Sequence, residues 1–249
     1  MFLNLLFLTL GLTFGSFFAA LSWRYPRGIS VAKGRSICPK CKHEIAWYDN
    51  IPVFSFIVLG GKCRNCKKSI SFRYPLIEFS TAIGFLYFSI FFQNNIFNLL
   101  YFLVILSILI LIFIIDWEHK IIPDDFTFLG VAIAILFLLL TDYRLIFASI
   151  LAGFTSAFLL LLINLLTKGR GMGLGDVKFA ILGGMLVGPK LNIIWLFFAF
   201  LTGGMVGIIL ILLKRAGLKD QIAFGPFLVI SIGLAIIFGD KLLILMGLR

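Results

Sequence analysis

Long apolar runs alternate with short polar connections along almost the whole chain. The runs cover residues 1–23, 74–92, 98–115, 125–141, 144–166, 177–189, 191–213 and 223–246. A helix needs about 20 apolar residues to cross the hydrocarbon core of a bilayer, and most of these runs approach that length. Run 177–189 is shorter and rich in glycine, which is typical of a tilted or re-entrant segment. The pattern predicts an all-α polytopic membrane protein with about eight transmembrane helices.

One polar interruption divides this pattern. Residues 1–23 lack a basic beginning and a small-residue cleavage site, so they predict a retained first span rather than a signal peptide. Residues 24–73 form a polar module, and residues 74–249 form the remaining membrane core. The apolar stretch 51–59 is too short to span a membrane, so we expect it to form a small packed core inside the module.

Composition excludes most other classes of protein. The 249 residues are 61% hydrophobic and 13% charged, and the mean hydropathy is +1.10. A soluble domain is usually about 45–50% apolar and about 25% charged, so this chain lacks the polar residues to cover a soluble fold. An ordinary soluble protein, a disordered chain and a nucleic-acid binder of the usual kind are excluded.

The basic residues predict the orientation. The net charge is +11, and 11 of the 22 Lys and Arg fall within residues 24–73. With this module in the cytoplasm, that side also holds connections 116–124, 167–176 and 214–222. Together with Lys178, just inside the next span, it carries 18 of the 22 basic residues. Cytoplasmic loops of membrane proteins carry such an excess. We therefore expect both termini on the outside.

All four cysteines lie in the polar module, as Cys38-Pro-Lys-Cys41 and Cys63-Arg-Asn-Cys66. Two CxxC pairs at this separation are a strong signal for a structural zinc site with four thiolate ligands. Two disulfides are the first alternative, but the cytoplasm keeps thiols reduced. A redox-active cysteine pair is the second alternative, but it would need only one CxxC motif. His43 is interpreted as a surface residue, since four thiolates saturate zinc.

Few acids border the spans, and an ionisable group at membrane depth is a functional candidate because it is costly. Asp116 ends a run, where the helix macrodipole disfavours an anion. Asp176 follows three closely spaced glycines, which permit close backbone approach. A helix cap explains Asp176 about as well, and capping is the better interpretation of Asp124 and Asp125.

Two facing carboxylates in a partly dry cleft can share one proton. One then activates water as a base, and the other polarises a scissile carbonyl. No Ser-His-Asp or Cys-His set competes, because the chain has two histidines and its cysteines are assigned to zinc. A zinc-stabilised transporter or assembly factor, in which the acids couple ions, remains an alternative.

The chain resembles the bacterial type IV prepilin peptidases, also called leader peptidase/N-methyltransferases, a family of GxGD aspartic intramembrane proteases. The matching segments are residues 11–17, 24–26, 38–41, 47–53, 61–66, 70–78, 116–124 and 171–178. The leucine usual in the family after GxGD-Val-Lys is Phe179 here. Archaeal preflagellin peptidases and presenilin-like proteins share GxGD and lack the cysteine module, so the two CxxC pairs separate them from this chain.

The resemblance implies two activities and their residues. Asp116 and Asp176 would be the catalytic pair that removes a basic leader from prepilins or pseudopilins after a Gly, and Gly173, Gly175 and Lys178 would belong to the active-site loop. S-adenosylmethionine would donate a methyl group to the new N-terminus, with Gly61 and Glu78 as family-matched cofactor positions. Zinc would bind Cys38, Cys41, Cys63 and Cys66. The partners would be substrates with an apolar N-terminal helix and the lipid of the bacterial inner membrane.

Overall fold

The computed structural model describes residues 2–30, 35–215, 217, 222–245 and 247. Parts of the expected connection 214–222 and both chain ends lie outside the described residues. The described α-helices are α1 (Phe2–Arg24), α2 (Phe54–Val58), α3 (Arg73–Phe91), α4 (Ile96–His119), α5 (Asp124–Thr141), α6 (Leu145–Leu166), α7 (Leu174–Leu212) and α8 (Gly225–Leu245). All except α2 are long and apolar enough to cross a membrane. In the described residues, strand pairing is limited to isolated bridges, so the all-α expectation is confirmed.

The chain divides into two compact units, with the boundary between Leu111 and Ile112 inside α4. In the first unit, α1 packs closely on α3 because glycines replace side chains at the contact. A Cβ atom at Gly15 would lie 2.6 Å from the Cα of Glu78. An apolar cluster adds the first part of α4 to this pair, with Phe7, Phe85, Leu99 and Leu103 at its centre.

Helix α7 is too long for one membrane crossing. Its 39 residues would extend about 58 Å as a straight helix, roughly twice the thickness of a hydrocarbon core. Gly188 interrupts it with φ 73° and ψ 174°, outside the helical region, and Pro189 follows. The positive φ suits glycine, and proline cannot donate the hydrogen bond that would continue the first helix. The helix therefore consists of two parts, 174–187 and 189–212.

The two parts of α7 run antiparallel. The Trp195 indole lies against Gly183, although a continuous helix would separate the two positions by about 18 Å. Asn192 donates to the Ala152 carbonyl at 2.8 Å, and the preceding part contacts the same carbonyl at Gly184. The expected runs 177–189 and 191–213 are thus two helices joined by a tight turn. The described residues hold seven candidate spans, and the division of α7 gives eight apolar helical segments, one of them only about 21 Å long.

The short apolar stretch of the polar module does not form a packed core, and that expectation is wrong. Of residues 51–59, only Ser55 is buried, whereas Ile51, Phe54, Ile57 and Val58 are exposed. With only five residues, α2 is too short to bury apolar side chains on both of its faces. Phe56 packs against Gly61 and Phe72, but Phe54, Ile57 and Val58 are exposed.

Candidate functional site

Asp116 lies in the last turn of α4 and is 4% exposed. Its Oδ2 accepts a hydrogen bond of 2.9 Å from the backbone N–H of Gly225, the first residue of α8. The C-terminus of α4 disfavours an anion, but the N-terminus of α8 favours one. The electrostatic conflict expected from the sequence is therefore offset by a helix that begins 109 residues later in the chain.

Asp176 is the third residue of α7 and is 8% exposed. Its Oδ2 accepts a hydrogen bond of 3.0 Å from the N–H of Gly173, which occupies the capping position. A side chain three residues into a helix that binds back to the capping residue is half of a capping box. Asp176 thus does take part in capping α7, and the hydrogen bond from Gly173 holds one of its carboxylate oxygens in place.

Ile122 links the surroundings of the two carboxylates. It is buried, and its side chain would lie 3.2 Å from a Cβ at Gly175 and 3.1 Å from a Cβ at Gly225. Asp116 is close enough to Asp176 to act on it electrostatically. The end of α4 and the starts of α7 and α8 therefore bring both acids to one region. Neither Ile122 nor Gly225 was identified from the sequence, although Gly225-Pro226 is a helix-start signal.

The glycine-rich loop before Asp176 is anchored to the end of α6. Asn164 Nδ2 donates to the carbonyl of Met172 at 2.6 Å, and Thr167 Oγ1 accepts from the N–H of Gly171 at 3.0 Å. Beside this loop opens a cleft of about 640 Å³, lined by Asn164, Leu165, Lys168, Gly169, Met172, Gly173 and Leu174. The loop is thus fixed on one side and open on the other.

Lys178 joins the start of α7 to the start of α5. Its Nζ lies 2.7 Å from Asp124 Oδ2. Pro123 occupies the capping position of α5 and no side chain caps that helix, so the capping interpretation of Asp124 is wrong. Its carboxylate instead pairs with a cation on a neighbouring helix. Lys178 lies two residues after Asp176, and its ion pair with Asp124 is exposed at the surface.

The four cysteines meet as a candidate metal site. The Sγ atoms of Cys38, Cys41, Cys63 and Cys66 lie within 4.8 Å of one another, and those of Cys38 and Cys66 are 4.0 Å apart. A tetrahedral zinc ion with bonds of about 2.3 Å places its sulfurs about 3.8 Å apart. The four thiols are free, so the donor set and its spacing fit a metal ion.

Both CxxC turns have the same local structure. The Cys38 N–H donates to the His43 carbonyl at 2.9 Å, and the Cys63 N–H donates to the Lys68 carbonyl at 2.9 Å. A residue with positive φ follows each turn, Lys42 at 62° and Lys67 at 57°. This repeat orients all four thiols toward one point. His43 contributes its backbone, and its side chain is exposed, as expected for a residue that is not a ligand.

Asp49 and Arg64 tie the second CxxC turn to the segment before α2. Arg64 donates to both carboxylate oxygens of Asp49 at 2.7–3.1 Å. Bidentate guanidinium–carboxylate pairs fix geometry as well as charge. The hydrogen bonds and charge of Arg64 hold the pKa of Asp49 below its usual range.

Gly61 and Glu78, the expected cofactor positions, contact opposite ends of α2. Gly61 has φ 67° and packs against the Phe56 ring, whose Cζ would lie 3.2 Å from a Cβ at Gly61. Glu78 is buried, and its Oε2 accepts the N–H of Val53 at 2.7 Å. Their proposed role in cofactor binding stays a prediction, since these contacts are within the protein.

Comparison with known proteins gives the family. Residues 9–92 match the bacterial peptidase A24 N-terminal domain, and residues 103–208 match the type IV leader peptidase family. Proteins named prepilin leader peptidase/N-methyltransferase are similar along most of their length. The one from Pseudomonas aeruginosa is 33% identical over 83% of this chain and 72% of its own. That from Bacillus subtilis is 30% identical over 97% and 96%, and that from Aeromonas salmonicida is 35% identical over 84% and 72%. No solved structure matches. The resemblance seen in the motifs is confirmed, and the chain belongs to the bacterial prepilin leader peptidase/N-methyltransferase family, as a multi-pass inner-membrane protein.

Proposed function

We propose that this chain removes the basic leader from prepilins or pseudopilins after a Gly and methylates the new N-terminus with S-adenosylmethionine. Family membership and the names of its relatives support both activities. The observation that carries the peptidase assignment is the pair of buried acids, Asp116 and Asp176. Each is held by a backbone N–H at a helix start, in a chain whose membrane helices expose few other acids.

The geometry suits an aspartyl pair that activates water. Each carboxylate accepts a backbone N–H through Oδ2, and Oδ1 of each acid would face the water molecule or the substrate. One carboxylate takes a proton from the water molecule as the water oxygen attacks the scissile carbonyl. The other, protonated, donates to the carbonyl oxygen, and a proton then passes to the leaving amine. The shared proton belongs to the pair rather than to either acid.

Apolar surroundings and a nearby opening support this chemistry. Ile122 packs between the starts of α7 and α8, and an apolar wall strengthens electrostatic effects on the reacting atoms by excluding water. The cleft beside Gly173 offers an extended peptide a route to Asp176. A substrate whose apolar helix lies in the bilayer would present its polar junction at this level.

Zinc bound by the four thiolates would cross-link the two CxxC turns and so stabilise the module that the family associates with methyl transfer. Such closed four-cysteine sites are structural, and peptide cleavage needs no step at the metal. We place the module and the acid pair on the cytoplasmic side and both termini outside. The excess of basic residues on that side supports this orientation.

Purified chain mixed with a prepilin in detergent or nanodiscs tests the proposal by mass spectrometry. The expected products are a leader ending in Gly and a mature chain carrying one methyl group. Asp116→Ala and Asp176→Ala should abolish cleavage but still methylate a peptide that has already been cut. Asp240→Ala is the matched control, because Asp240 is an exposed acid paired with Lys190. Cleavage at the parental rate by either active-site variant would overturn the assignment.

A further inference from the structure

The polar module carries an exposed apolar surface, here called the α2 surface. It consists of Trp47, Phe54, Ile57, Val58 and Phe72, which are 76%, 60%, 69%, 61% and 68% exposed. These residues lie outside the long apolar helices, in the part of the chain richest in Lys and Arg. A water-facing domain rarely exposes so many large apolar side chains together, and such a patch marks an interaction site.

One contact fixes the depth of this surface along the membrane helices. Glu78 lies five residues after Arg73, the first residue of α3, which is about 7.5 Å along the helix axis. The Glu78 carboxylate binds the N–H of Val53, the residue immediately before α2. Helix α2 therefore begins beside α3 rather than beyond its end. This places it at the level where a membrane helix enters the bilayer.

The contact is strong enough to impose an unfavourable backbone. Val53 has φ 59° and ψ −47°, a conformation that a β-branched residue rarely adopts. Such an outlier persists only where its surroundings hold it. The hydrogen bond of 2.7 Å to the buried Glu78 side chain is a suitable restraint, because leaving buried polar groups unpaired is costly. The sequence thus accepts local strain at Val53 to keep α2 against the membrane helix.

We propose that the α2 surface inserts into the boundary between headgroups and acyl chains, so that the module lies on the bilayer. Charge supports lipid as the occupant. Lys62, Lys67 and Lys68 follow α2 directly and are exposed, and anionic headgroups attract such clusters. An apolar face beside a basic one is the pattern of interfacial helices, and Trp is enriched at this level. The proposal does not depend on either catalytic activity.

Fluorescence quenching by brominated lipids tests this depth in the full chain. A Trp47→Phe parent is reconstituted in nanodiscs, and two variants of it are compared, Ile57→Trp and Ile37→Trp. Both positions are exposed isoleucines of the module. Ile37 is the control because it lies two residues from Arg35, whose carbonyl binds Arg24 at the end of α1. That end is about 13 Å beyond the level of Glu78.

The emission added by each new tryptophan is obtained by subtracting the parent spectrum. Lipids brominated high on the acyl chain should quench Ile57→Trp at least about twofold and leave Ile37→Trp nearly unchanged, as an interfacial depth of roughly 5–10 Å requires. Equal quenching at both positions would overturn the proposal. So would protection of Ile57→Trp only after a prepilin is added, because the surface would then bind substrate. Retention by both variants of methyl transfer to a peptide that has already been cut shows that their modules are folded.

Discussion

A side chain at position 225 should slow peptide cleavage because the Asp116 carboxylate occupies the space where that side chain would begin. A Cβ at this position would lie 2.7 Å from Asp116 Oδ2 and 3.0 Å from its Cγ. Ordinary contact begins at 3.4 Å, so Gly225→Ala must displace the carboxylate, the start of α8, or both. The shift needed is about 0.7 Å, and a 1 Å misplacement in an active site can cost about 100-fold in rate.

We therefore expect Gly225→Ala to slow cleavage by about 10- to 100-fold, equivalent to roughly 1.4–2.7 kcal/mol of barrier. The assay is single-turnover cleavage of a prepilin by excess enzyme, which reports the chemical step rather than product release. Gly233→Ala is the matched control in the same helix, because a Cβ there meets no atom within 4 Å. The control should cleave at the parental rate.

Methyl transfer to a peptide that has already been cut provides an internal reference. It should be the same in Gly225→Ala as in the parent, because the substitution lies in the second unit and the cysteine module in the first. If Gly225→Ala cleaved as fast as Gly233→Ala, the positioning of Asp116 by α8 would not matter for catalysis. The explanation given for Gly225 would then be wrong.

Three further substitutions test other parts of the structure. Asn164→Ala removes the donor to the Met172 carbonyl and should slow cleavage by about 5- to 10-fold, the value of roughly one hydrogen bond, in the same assay. Cys41→Ser should lower the metal content from about one zinc per chain, measured by elemental mass spectrometry, and abolish methyl transfer. Asp49→Asn should reduce the melting temperature most near neutral pH. Because Arg64 lowers the pKa of Asp49 in the folded state, its stabilisation is complete above the unfolded pKa of about 4 and disappears as the pH falls through the folded pKa.

The membrane helices could be predicted because their signal is local. A run of apolar residues must become a helix in lipid, where no water satisfies the backbone. Residues 98–115 accordingly lie within α4, and α6 covers run 144–166 from its second residue onward. The division of α7 was predicted from the separation of runs 177–189 and 191–213, although the turn itself lies at Gly188, inside the first run. The apolar runs do not indicate which helices pack against each other. The contact of Asp116 with Gly225 joins distant segments through helix packing alone.

The polar module shows the same division between local and long-range information. The CxxC spacing is a local signal, and it predicted that Cys38 and Cys66 lie close together, as they do. The apolar stretch before Gly61 was misread as a core because hydrophobicity alone does not distinguish packing from contact with lipid. Only the bond between Glu78 and Val53 shows at what level that stretch lies. The pairing of Lys178 with Asp124 was missed for a related reason, since a helix start after proline favours capping.

The central claim is that Asp116 and Asp176 act as one catalytic unit. Single-turnover cleavage of a prepilin by Asp116→Asn, Asp176→Asn and the double variant tests it most directly. Groups that share one proton and one step are strongly non-additive, so each single variant should lose at least about 1,000-fold and the double variant little more. Losses that multiply in the double variant, or parental cleavage by either single variant, would contradict the claim.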